Sequence, residues 1–320
     1  MTRVRLLNLA IVAALVGLLI WQLDLGEMGD ALAAADAPLI VIAVAINAPI
    51  GALYGLRSKL LLARLGHAMP DRLLFPTMLL GNVAGSMTPA SSGELLRTAV
   101  LRTHAGIATE DGLALVLYER AVSVYLLTAG GGLGAIALAL SGAKSVAVLA
   151  AAPAVLVLPP LLARAVPLPR FESRRHRLAR LAGTLVESLE RTRAMLRDGA
   201  GYAAWAAMTM GIFALVAAQF WLLARAIDSG VNPLEAWVAF AGSQAAAIAS
   251  LLPLGIGAGD ASLAGLMHRF GLTLEEGAAA AVLARLAIAL PLGVAAIASY
   301  LYLARAAPDA VHSEAPAAKA

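Results

Sequence analysis

Arg120 and Arg285 stand inside stretches otherwise apolar enough for hydrocarbon, and each lies eight residues beyond a glycine, Gly112 and Gly277. Eight helical residues advance about 12 Å, which puts both guanidinium groups well below an interface. A central arginine costs at least about 2.5 kcal/mol on insertion scales, so it must face a counter-charge or a wet cavity. The planar fork of arginine suits phosphate or carboxylate oxygens. Two readings follow: contact with an anionic lipid group, or a structural ion pair to Glu94, Glu119 or Asp260. Glu94 and Arg97 are three apart and share one face of a short polar helix. Ser91-Ser92-Gly93-Glu94 and Thr273-Leu274-Glu275-Glu276 each have the form of a capping box, and Asp260 suits a helix N-cap. Gly255, Gly257 and Gly259 alternate so as to present backbone N–H groups to a phosphate, or simply to allow a tight turn. The candidate substrate-binding set is therefore Arg120, Arg285, Glu94, Arg97, Glu119, Asp260, Ser91, Ser92, Gly255, Gly257 and Gly259.

Other chemistry lacks its residues. The chain has no cysteine, which removes disulfides, thiolate ligands and thiol nucleophiles. No H-E-x-x-H, G-x-S-x-G or G-x-x-x-x-G-K-[ST] pattern occurs. Ser91 and Ser92 have no general base at recognisable spacing, and His104 and His268, near the ends of two short polar helices, read as interfacial. The expectation is a non-enzymatic protein without cofactor or metal.

The elements that must position these residues are membrane helices. In 320 residues, 61% are hydrophobic and 14% charged, and the mean hydropathy is +0.82, a composition far from that of soluble domains. The net charge is only +4, which calls for no nucleic-acid partner. Six segments are long enough to cross: 6–23, 38–56, 113–138, 146–165, 202–226 and 277–303. Segment 6–23 follows Arg3 and Arg5 but lacks a small-residue cleavage site, and it reads as a retained helix. Two further apolar stretches, 73–87 and 234–252, run into Pro and Gly clusters and then into short polar helices at about 92–104 and 260–270.

Loop charges set the orientation. Residues 24–37 carry Asp24, Glu27, Asp30 and Asp36 without Lys or Arg, whereas 57–72 carry Arg57, Lys59, Arg64 and Arg72. The long loop 166–200 is arginine-rich, so both termini are expected in the cytoplasm. Parity then requires 73–87 to dip in and return; at 1.5 Å per residue it reaches only about 22 Å. Within 166–200, Leu178, Leu181, Leu185 and Leu189 share a helical face with Arg177, Arg180, Arg191 and Arg193 available to the other, the pattern of a helix lying on an anionic leaflet or of charges that only enforce topology.

The chain also repeats at an offset of 165: Gly106, Glu110, Gly112, Ala114 and Arg120 recur as Gly271, Glu275, Gly277, Ala279 and Arg285. The fold expected is an all-α polytopic membrane protein, with about six full transmembrane helices plus two re-entrant broken hairpins forming an inverted repeat, a transporter signature. It would be one membrane domain over 1–305, with repeat halves at about 38–140 and 202–303 joined by cytoplasmic loop 166–200, and a disordered tail at 306–320.

Around the first break the chain reads Asn82-Val83-Ala84-Gly85-Ser86-Met87-Thr88-Pro89-Ala90-Ser91-Ser92-Gly93-Glu94-Leu95-Leu96-Arg97, then Leu117-Tyr118-Glu119-Arg120. Around the second it reads Leu251-Leu252-Pro253-Leu254-Gly255-Ile256-Gly257-Ala258-Gly259-Asp260, then Gly271-Leu272-Thr273 and Ala284-Arg285. These blocks resemble the flippase-like family that shares the transmembrane domain of lysylphosphatidylglycerol synthases. The resemblance covers roughly residues 6–303. Asp260 departs from it, since the family often has an Arg-Glu pair after the glycines. The soluble aminoacyl-transferase domain that follows in two-domain members has no counterpart in 306–320.

The resemblance implies a translocase moving a polar-headgroup lipid between leaflets: a modified phospholipid, a glycolipid or a polyprenyl-phosphate lipid. Its partners would be membrane lipids, anionic phospholipid among them, and a separate lipid-modifying enzyme. The alternative is a non-transporting scaffold or regulatory subunit of a membrane-enzyme complex; a membrane-embedded transferase ranks last.

Overall fold

The computed structural model describes residues 25–86, 88, 93–140, 143–150, 152–165, 177–227, 230–252 and 255–306. Among them every regular element is helical, and the fold is all-α and polytopic. Five helical stretches are long and apolar enough to cross a membrane: Ala37–Arg64, Thr109–Ala139, Lys144–Ala165, Gly199–Ala226 and Leu274–Arg305. They coincide with five of the six expected spans; the sixth, 6–23, lies outside the described residues, as does most of the expected tail.

The helices are α1 (Leu25–Ala33), α2 (Ala37–Ala45), α3 (Asn47–Arg64), α4 (Asp71–Ser86), α5 (Leu95–Ala105), α6 (Thr109–Ala139), α7 (Ala143–Leu149) and α8 (Ala152–Ala165). There follow α9 (Arg177–Arg197), α10 (Gly199–Ala226), α11 (Pro233–Ser250), α12 (Ala258–Arg269), α13 (Leu274–Ala284), a π-helical turn at Arg285–Ala289, and α14 (Leu290–Arg305). Local chemistry accounts for several starts. The Asp36 carboxylate accepts the Leu39 N–H at 3.3 Å to open α2, and that of Asp198 accepts the Gly201 N–H at 3.2 Å to open α10. Asn232 and Glu235 form a reciprocal cap on α11, behind Pro233. Thr273 and Glu276 do the same for α13, as their spacing predicts.

Large side chains are not all inside. Val41, Val146, Val294 and Ile297 face outward, whereas Ala278, Ala279, Ala280 and Ala281 are buried. Small residues bring helix backbones close where lipid tails offer no hydrophobic drive of their own. A methyl group on Gly131 of α6 would come 2.5 Å from the Ala241 Cβ of α11. The aromatic part of the core centres on Tyr118 and Trp205, whose rings meet edge-on at 5.1 Å.

The offset of 165 reappears as matched contacts. Gly106 and Gly271 both have positive φ, 63° and 104°. Each follows its short polar helix, and the next residue turns its N–H back onto that helix, Ile107 to Leu101 O and Leu272 to Met267 O. Gly112 and Gly277 then sit against the preceding short helices, where an added Cβ would lie 2.6 Å from Thr98 Cγ2 and 2.6 Å from Ala264 O respectively. Helix α4 packs on α14, and α11 packs on α6, so each broken hairpin leans on the long helix of the other half.

The arginine-rich helix α9 is docked on protein. The Ser188 and Thr192 hydroxyls donate to Glu110 O at 3.1 Å and Ala114 O at 3.2 Å. Arg191 pairs with Asp111, and Arg193 Nε and Arg197 Nε donate to Ala163 O. This corrects the expectation that Arg191 and Arg193 are free for a leaflet: unpaired carbonyls and a carboxylate at helix ends compete for those donors. Leu185 and Leu189 remain exposed, while the side chains of 177–182, including Leu178 and Leu181, lie outside the described residues.

Candidate functional site

At the first break, α4 ends at Ser86 and α5 begins at Leu95. Thr88 pins the reversal: its Oγ1 donates to Ala84 O at 3.0 Å and accepts the Gly93 N–H at 2.6 Å. Gly93 is required, because a Cβ there would come 2.1 Å from Ala84 O. Ser91 and Ser92, and with them the expected cap, lie outside the described residues. The Glu94 side chain makes no cap to α5; it is buried and accepts a hydrogen bond from Arg120 Nη2. Arg97, one turn on, donates from Nη1 to Glu119 Oε2 at 2.6 Å.

The two pairs interlock. Glu94 and Arg97 present one face of α5 to Glu119 and Arg120, adjacent residues of α6 that diverge by about 100° around the helix axis. Glu119 therefore turns inward, while the side chain of Arg120 stays 36% exposed. The Ser58 hydroxyl donates to Glu119 Oε1 at 2.7 Å. Arg57, also buried, donates to Thr209 Oγ1 at 3.2 Å and lies over the rings of Tyr54 and Trp205 at 4.4 and 5.0 Å. Arg57, Ser58 and Thr209 are absent from the sequence-derived set. Their signal was available in part: Arg57 follows an apolar run directly, but it looks like a loop arginine until α3 is seen to continue to Arg64.

At the second break, α11 ends on Leu251, whose φ is 54°, and Gly255 and Gly257 follow at 60° and 86°. Gly255 also lets the turn touch α11, since a Cβ would lie 2.3 Å from that of Ala247. Asp260 is not the N-cap of α12 but its third residue; Gly257 holds the cap position, and Asp260 Oδ2 accepts its N–H at 3.1 Å. The Gly257 N–H is thus already engaged by a carboxylate. Asp260 also accepts two parallel bonds from Arg285, Nε to Oδ1 and Nη2 to Oδ2, both 2.9 Å, the forked geometry that makes such pairs strong and directional. The Arg285 side chain is 32% exposed.

Both intramembrane arginines therefore have carboxylate partners across a short-helix to long-helix contact, Arg120 with Glu94 and Arg285 with Asp260. Glu119, the other acidic residue at this depth, belongs to Arg97. His104 and His268 hydrogen-bond to backbone carbonyls, those of Val100 and Leu303 for the first and Leu272 for the second.

A second polar cluster lies where α9 meets α3 and α6, in a cavity of about 510 Å³ lined by Arg64, His67, Asp111, Arg191 and Asp198 among others. Arg191 binds Asp111 and Glu187, and the Asp111 hydrogen bond raises the guanidinium further above its ordinary value. His67 Nε2 is 2.7 Å from the other Asp111 oxygen, and Arg64 pairs with Asp198.

The family model of the lysylphosphatidylglycerol synthase transmembrane region matches residues 5–296. The chain belongs to this family. The match takes in both broken hairpins and every residue of the candidate site, so the fold and ionic pairs described above are those of a lysylphosphatidylglycerol synthase transmembrane-region protein. A protein of Methanothermobacter thermautotrophicus, described as a UPF0104 membrane protein, is 29% identical over 102 residues, which is 31% of this chain and 30% of that protein. The matched part thus spans less than a third of the relative's length.

Proposed function

We propose that the protein moves a lipid with a charged or zwitterionic headgroup between the leaflets of a bacterial or archaeal cytoplasmic membrane, with the basic ends of its helices and both termini inside. One observation carries this reading: each broken hairpin holds a guanidinium–carboxylate pair at nearly matching places in the repeat, Arg120–Glu94 and Arg285–Asp260, the arginines 165 residues apart and the carboxylates 166, and each arginine is about one-third exposed. Pairing lowers the cost of the charge at rest, and partial exposure leaves donors for a headgroup oxygen. Two hairpins related by an inverted repeat give one groove two equivalent approaches. Lipid as cargo is in keeping with the family, whose description names the transmembrane region of a phospholipid-modifying synthase. Modified phospholipids, glycolipids and polyprenyl-phosphate lipids share the chemistry required, and a separate enzyme would supply the modification. The exposed Leu185 and Leu189 of α9 suit contact with the acyl region of the inner leaflet.

The test is leaflet exchange of headgroup-labelled lipids in proteoliposomes, comparing wild type with Arg120→Gln and Arg285→Gln at matched incorporation. Each substitution is expected to slow exchange by about tenfold or more, the worth of roughly 1.4 kcal/mol of lost contact. Equal rates in all three proteins would remove these arginines from transport and favour the scaffold reading, in which the same substitutions lower abundance alone.

A further inference from the structure

Around Glu119 the buried charges do not balance. Arg97 binds this carboxylate directly, and Arg57 adjoins Ser58, the residue that donates to its other oxygen, while Arg120 is taken by Glu94. Arg57, Arg97 and Glu119 are all more than nine-tenths buried, and one positive charge is left over. Donors are in excess as well. Arg57 Nε, Arg97 Nε and Arg97 Nη2 are buried without an acceptor among the described residues. Buried guanidinium nitrogens in that state are costly, and an acceptor-rich anion offsets the cost.

A cavity of about 220 Å³ lies directly beside them, between α3, α4 and α14. Two of its lining residues, Tyr54 and Met78, touch the guanidinium groups: Arg57 stacks on the Tyr54 ring at 4.4 Å, and Arg97 Nη1 is 3.7 Å from Met78 Sδ. Methionine is unbranched and adaptable, so the partition between cavity and cation is thin and movable. Gly51, Asn82 and Ser299 line the rest with apolar neighbours. Two of the helices around it, α3 and α14, belong to stretches long and apolar enough to cross a membrane. An anion arriving this way must come from within the bilayer.

We infer that Arg57 and Arg97 form a binding site for the phosphodiester of a membrane lipid, which enters sideways between α3, α4 and α14. The site rests on the translocase reading and gives it a substrate class: the cargo carries phosphate, whatever its head bears beyond it. Glu119 holds the two cations together while the site is empty, and Ser58 keeps Glu119 in place.

The test is binding, read as the apparent melting temperature of the purified protein in detergent during titration with dioleoyl-phosphatidylglycerol, dioleoylglycerol or inorganic phosphate. Phosphatidylglycerol is expected to stabilise the wild type, and dioleoylglycerol, which lacks phosphate, to leave it unchanged. Arg57→Gln should weaken the apparent affinity about tenfold, in line with loss of a charge-assisted contact. Gly51→Leu should do the same by filling the cavity; an added Cβ at Gly51 meets nothing within 4 Å, so this variant keeps the test decisive if Arg57→Gln does not fold. Titration of both variants like wild type would overturn the site, as would equal stabilisation by dioleoylglycerol. Stabilisation by inorganic phosphate that matches the lipid would overturn the lipid as source. Because no leaflet exchange is needed, lipid binding that disappears in Gly51→Leu upholds the site even in a protein that moves nothing, and unchanged binding in a protein with active exchange overturns the site alone.

Discussion

The two broken hairpins solve the same problem with different interiors. In the first, Glu94–Arg120 and Arg97–Glu119 cross between α5 and α6, and Ser58 and Arg57 extend the network into α3. In the second, Asp260–Arg285 is the one ion pair among the described residues. In the register that sets Asp260 opposite Glu94, the counterpart of Arg97 is Leu263, and in the one that sets Arg285 opposite Arg120, that of Glu119 is Ala284; buried apolar side chains fill the contact instead. The long helices differ in the same sense. Helix α6 runs unbroken for 31 residues, whereas its counterpart passes through the π turn at Arg285–Ala289. Pro291 explains that turn: it has no N–H for Ala287 O and its ring crowds that carbonyl. Asn47 Nδ2 of α3 supplies the missing donor at 2.7 Å. One half is therefore held by charge, and the other by close backbone packing with a proline-relieved bend beside its arginine.

The comparison is most exposed at Glu119. Glu119→Gln leaves Arg97 and Arg57 buried without their carboxylate, and unfolding in detergent should show a loss of about 3–5 kcal/mol, the usual cost of breaking a buried pair from one side. A loss below about 1 kcal/mol would mean that the first half is not held by its ionic network. The second half should instead be sensitive to volume. Gly277→Ala drives a methyl group against the backbone oxygen of Ala264, which cannot turn away, whereas the methyl of Gly112→Ala meets the Thr98 side chain. We expect about 1–3 kcal/mol for Gly277→Ala and less for Gly112→Ala, measured as a pair by thermal unfolding. The reverse order would break the contrast. The smallest effect is expected for Asn47→Ala, about 1 kcal/mol, from the loss of the part-buried hydrogen bond to Ala287 O together with an exposed one to Val44 O. Replacing Pro291 by Ala in the same background should recover stability if that carbonyl is the cause, and an unchanged double variant would place the effect elsewhere.

Composition, length of apolar runs and spacing alone determined the class of this protein, the places of five stretches long and apolar enough to cross a membrane, both breaks and the positions of Arg120 and Arg285 inside two of those stretches. These features are local or periodic, and hydrocarbon penalises a misplaced polar residue severely enough to leave a mark in one dimension. The Thr273–Glu276 cap was legible for the same reason, as a contact within one helical turn. Partner choice was not. Glu119 adjoins Arg120 in the chain, yet pairs with Arg97 because neighbouring residues leave a helix in different directions. Asp260 was placed one turn too early because glycine can occupy a cap position without a side chain to announce it. The role of Arg57 depended on where α3 stops, and that of Ser188 and Thr192 on the docking of α9 against α6. Contacts between residues 61 and 152 positions apart, such as Ser58–Glu119 and Arg57–Thr209, have no period and no local signature; only the packing of helices brings those side chains within reach.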